Sequence, residues 1–125
     1  MVMTSGCSTF TPMMGDTVDC VSTTESQGVI AQTGSEGNIT VNLTEGASFD
    51  ILSDPAAIQI GRNGTVNIGP GSIIFASSIG SSVVVGTGSI INLNGRIDAP
   101  GAGFSGILVS DDGGTEGSLI NINSA

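Results

Sequence analysis

The chain has 125 residues, 20 of them glycine, only two cationic side chains and a formal net charge of −9. That length suits one domain around one continuous core. The charge argues against nucleic acid as a partner and against a basic lipid anchor, since both need clustered cations. No apolar run approaches the roughly 20 residues of a membrane-spanning helix, so no membrane insertion of this segment is expected.

Residues 1–27 read as an entry or cap segment without the repeat that dominates the remainder. Met1 to Gly6 shows neither a basic segment nor an apolar stretch of the signal-peptide kind. Cys7 and Cys20 are the only cysteines, with twelve residues between them, including Pro12 and Gly15. One close pair ahead of a cysteine-free body fits a local disulfide in an oxidising compartment, with two free thiols as the alternative. Zinc is not expected, because no histidine or further cysteine completes a four-ligand set.

From residue 28 to 125 a phrase recurs. Thr40-Val41-Asn42-Leu43 returns as Thr65-Val66-Asn67-Ile68, Ile90-Ile91-Asn92-Leu93 and Leu119-Ile120-Asn121-Ile122. The asparagines step by 25, 25 and 29 residues. A second phrase keeps the beat at Ala57 to Ile60, Ser82 to Val85 and Gly106 to Val109. Within each phrase branched apolar residues alternate with polar ones, the signature of a strand with one buried face. Gly46, Asn63-Gly64, Gly69-Pro70-Gly71, Asn94-Gly95, Asp54-Pro55 and Ala99-Pro100-Gly101 supply turns. A repeat of this length built from short strands and turns predicts an all-β fold, a parallel β-helix of about four coils. Val41, Val66, Ile91 and Ile120 should stack in one interior column, and Leu43, Ile68, Leu93 and Ile122 in the next.

Asn42, Asn67, Asn92 and Asn121 then point outward, where stacked amides can form a structural ladder. The extra residues of the last repeat fall in an acidic loop holding Asp111, Asp112 and Glu116. Its spacing matches neither calcium-binding loop, so it reads as a solvated insertion. Asp98 aligns with Ile73 at a 25-residue step, not with another acid. With no histidine in the chain, triad-type nucleophilic catalysis is excluded within it. No enzyme activity, metal or cofactor is expected, and a polysaccharide-processing enzyme is the disfavoured reading. The sequence stops just after a core-type strand. The coil is therefore expected to be truncated there, or to self-associate through an edge at Ile120 and Ile122.

Cys7, Pro12, the run Gly15 to Cys20, and Asn38-Ile39-Thr40-Val41-Asn42-Leu43 with Gly46-Ala47-Ser48 together resemble the start of bacterial autotransporter passenger domains. The resemblance implies a right-handed parallel β-helix carried to the cell surface by a C-terminal membrane barrel. It also implies a role as adhesin or stalk, with a host-surface or matrix ligand. No catalytic residue is carried over. A self-assembling extracellular fibre module, stacking end to end, is the alternative from a different class.

Overall fold

A computed structural model describes residues 6–21, 24–33, 36–44, 46–51, 56–76, 82–98, 106–109 and 117–122. Among these stand thirteen short strands and no helix: β1 (Thr17–Cys20), β2 (Thr24–Glu25), β3 (Val29–Ile30), β4 (Thr40–Leu43), β5 (Ser48–Ile51), β6 (Ile58–Gln59), β7 (Thr65–Ile68), β8 (Ile73–Ala76), β9 (Val83–Val85), β10 (Ile90–Leu93), β11 (Arg96–Asp98), β12 (Ile107–Val109) and β13 (Leu119–Ile122). They form three sheets, ordered β1-β4-β7-β10-β13, β2-β5-β8-β11 and β3-β6-β9-β12. Every strand thus pairs with the strand three places along the chain, and each of these pairings is parallel. Consecutive strands lie in different sheets, so the chain winds as a parallel β-solenoid.

Register follows the hydrophobic alternation, because a slip of one residue would turn every apolar side chain outward. Val18, Val41, Val66, Ile91 and Ile120 occupy one column, and Cys20, Leu43, Ile68, Leu93 and Ile122 another. In the second sheet, Glu25, Phe49, Ile74 and Ile97 share a column. In the third, Val29, Ile58, Val83 and Ile107 do so. The middle members of these columns are fully or nearly fully buried and form one continuous core.

The solenoid begins earlier than the asparagine phrase suggests. β1, inside the segment assigned to a cap, pairs with β4 as Thr17↔Thr40, Val18↔Val41, Asp19↔Asn42 and Cys20↔Leu43. What places it there is the backbone ladder and the inward Val18 and Cys20, both buried. Asp in place of Asn, Cys in place of Leu, and a step of 23 residues hide the repeat from the eye.

The corners repeat as faithfully as the strands. Gly15, Asn38, Asn63 and Gly88 each stand two residues before a strand of the first sheet, and all have positive φ, between 55° and 85°. Glycine adopts that conformation most readily, followed by asparagine and aspartate. Gly46 and Gly71 do the same two residues before β5 and β8. One corner is shorter: only Asn94 and Gly95 join β10 to β11, where Gly69 to Ser72 join β7 to β8. A Cβ on Gly95 would run into the carbonyl oxygens of Ser72 and Gly69. That two-residue saving shifts the register, so Asp98 stands beside Phe75, not beside Ile73, and Arg96 takes the place opposite Ile73. Asp50 lies on the other side of Phe75.

The turns expected at Asp54-Pro55 and Ala99-Pro100-Gly101, and the acidic loop of Asp111, Asp112 and Glu116, lie outside the described residues.

Candidate functional site

The outward face of the first sheet is organised by side-chain amides. Asn67 Nδ2 donates to Asn42 Oδ1, Asn92 to Asn67 and Asn121 to Asn92, each at 2.8 Å. Asn42 in turn donates to Asp19 Oδ1 at 3.1 Å. All donors point the same way along the stack. A carboxylate can accept but not donate, so Asp19 is the terminal acceptor of the ladder. The four asparagines are half-buried, and the direct function of this geometry is to fix register between coils.

The first turn carries its own cover. Cys7 and Cys20 are joined by a disulfide, with their Cα atoms 3.9 Å apart, and both are buried. Around it, residues 6–12 run as a strap over the outer side of β1 and β3. Ser8 N donates to Asp19 O at 3.0 Å and Val21 N to Gly6 O at 2.7 Å. Further along, Ile30 N donates to Phe10 O and Gln32 N to Pro12 O. Glu25, half-buried under Phe49, accepts from the Gly6 N–H. An edge of unpaired backbone groups is a template for another strand. Here it is answered by the chain's own backbone and by a carboxylate set in an apolar column.

At the other end of the first sheet, β13 pairs with β10 on one side. Its Leu119, Ile120 and Ile122 are 54%, 40% and 65% exposed.

One groove, of about 310 Å³, is lined by Met14, Gly37, Asn38, Arg62 and Asn63. These residues occupy the same corner at three successive levels, just before β1, β4 and β7. Stacking pins the corner: Gly15 N donates to Gly37 O, Asn38 N to Arg62 O and Asn63 N to Thr87 O. A Cβ at Gly37 would lie 2.7 Å from Arg62 O, so glycine is needed for the levels to approach. The side chains of Asn38, Arg62 and Asn63 are exposed. Nothing in the sequence marks Arg62 as special. The signal that locates the groove is the Asn38 and Asn63 pair at the 25-residue step, both of which need positive φ.

Among the described residues no three His, Cys, Asp or Glu side chains stand close enough to hold a metal ion. Arg96 pairs with Asp98 at 3.2 Å on the exposed face of the second sheet. No protein-family model matches this chain, and no match was found among curated proteins or solved structures.

Proposed function

We propose that the chain is a non-enzymatic β-helix scaffold of the bacterial cell surface or secreted space, part of an autotransporter passenger that works as an adhesin or spacer. The observation that carries this reading is the strap, closed by the Cys7–Cys20 disulfide over the first turn of an in-register stack. A disulfide of this kind belongs to an oxidising compartment, and a solenoid closed at its N-terminal side is suited to presenting the coils that follow. The −9 charge keeps such a surface soluble and away from nucleic acid. The amide ladder supports a structural role, since its polar groups are engaged with one another. Flanking coding sequence tests the proposal. A membrane-barrel segment downstream is the expected result, and a gene without one removes the passenger reading. Turnover of polysaccharides by the purified chain would overturn the non-enzymatic part.

A second reading, end-to-end self-association, is favoured by the exposed apolar side chains of β13. The strap and Glu25 obstruct the opposite end, so association should stop at pairs joined through β13. Light scattering on the 125-residue chain and on Ile122→Lys separates the outcomes. Pairs lost in the variant support this reading, while a wild type that stays monomeric at high concentration removes it. Filaments would show that the strap does not block stacking.

A further inference from the structure

We propose that the corner groove of Met14, Asn38, Arg62 and Asn63 is a binding site for a sugar carboxylate, a uronate unit either free or within an acidic polysaccharide. The site goes beyond the scaffold role and holds whether or not the chain is a passenger. Four equivalent corners require positive φ, and two of them, Gly15 and Gly88, meet the requirement with glycine. The two that line the groove carry asparagine instead. Each adds a carboxamide that can donate to one sugar oxygen and accept from another hydroxyl. The main-chain N–H groups of Asn38 and Asn63 are already bonded within the stack, so recognition falls to side chains.

Charge selects the ligand further. The chain holds 11 carboxylates and two arginines, yet among the described residues the groove is lined by one arginine and no acid. Of the neighbouring carboxylates, Asp16 accepts from Met13 N and Glu36 from Thr33 N. A guanidinium has five donors in a planar fork, so Arg62 can keep an existing contact and still grip a carboxylate. Met14, 68% exposed, offers its thioether chain to the apolar face of a sugar ring. The volume lies at the small end of ligand sites, and three stacked levels give a span of about 10 Å along the axis. That suits a short stretch of a linear chain lying parallel to the solenoid axis.

Amide NMR on the 125-residue chain tests this with galacturonate, trigalacturonate and galactose as probes. Saturable shifts confined to Gly37, Asn38, Asn63 and their neighbours are expected with the two acids. Galactose should bind at least about tenfold more weakly, the loss of one charge-assisted contact. Arg62→Gln should weaken the acids by a similar factor. So should Asn63→Asp, which tolerates the same backbone but adds a repelling charge. Unchanged β4 and β7 resonances in both variants would show the fold intact. Comparable binding of monomer and trimer assigns the site to free sugar acids, and binding of the trimer alone assigns it to polysaccharide. No saturable shift with either acid, an equal response to galactose, or full affinity in Arg62→Gln would overturn the proposal.

Discussion

Asn67 donates its Nδ2 to Asn42 Oδ1 at 2.8 Å across 25 residues of sequence, and receives the same bond from Asn92. Each asparagine between the ends of the ladder is donor to one neighbour and acceptor to the other. Replacing Asn67 with Ala removes both bonds at once and strands a partner on each side. A net hydrogen bond is worth about 0.5–1.5 kcal/mol, and these amides are only half-buried, so a loss of about 1–2 kcal/mol is expected in urea unfolding. Asn67→Asp keeps the acceptor for Asn92 but sets a carboxylate against the Asn42 oxygen. It should cost at least as much as the alanine.

Ser82 offers the opposite case. Its Oγ is fully buried and, among the described residues, has no hydrogen-bond partner. The equivalent place one turn earlier is Ala57, and one turn later Gly106, as the pairing of β6, β9 and β12 sets out. Burying an unpaired hydroxyl costs about 1–3 kcal/mol. Ser82→Ala should therefore raise stability, by about 1 kcal/mol, read as a higher denaturant midpoint with an unchanged slope.

Two glycines that look alike in sequence should respond differently. Gly15 has a φ of 85° with open space around a built Cβ, and its counterparts are Asn38 and Asn63. Gly15→Asn should leave stability within about 0.5 kcal/mol of wild type. At Gly95 the obstacle is backbone: an added Cβ meets two carbonyl oxygens and sits 3.0 Å from Ile68 Cγ2. Gly95→Ala should lose about 2 kcal/mol or more, because the stacked carbonyls cannot move aside without breaking the register. Thermal unfolding of both variants checks the pair.

The strap gives a residue-resolved prediction. Closing the loop between Cys7 and Cys20, with a sequence separation of 13, is worth about 3 kcal/mol in the chain-entropy model. In a Cys7→Ser, Cys20→Ser variant the amides of Val21, Ile30 and Gln32, which donate to the strap, should exchange with deuterium faster. Amides between β4 and β7 should stay protected, since a solenoid is stabilised by neighbour contacts. Alkylation followed by mass measurement gives the companion result: two modified cysteines only after reduction.

The solenoid, its column membership and the facing of the asparagines follow from the period of the sequence, because in a stacked coil each inward position meets its own copy one turn away. The start of the stack was harder to read, since Thr17-Val18-Asp19-Cys20 keeps the alternation but changes the outward amide to a carboxylate. That change suits the first level, where the Asp19 side chain accepts from Asn42. The shift at Asp98 was invisible for another reason: a corner can lose two residues without disturbing either strand, provided a glycine stands where the levels close up. The groove is hard to find in the sequence because it depends on which corners carry asparagine, and a turn that needs positive φ is equally satisfied by glycine.

A pull along the solenoid axis would load these ladders in series. Turns should peel away one at a time, every step releasing about 80 Å of chain for a 25-residue coil. The resistance of successive steps should be similar, because each turn is held by comparable strand pairs. The first turn differs in one respect, at β1. There the covalent link between Cys7 and Cys20 keeps the intervening residues from extending at all. The molecule would then behave as a stepwise tether, yielding turn by turn, with the residues between its two cysteines held out of the load.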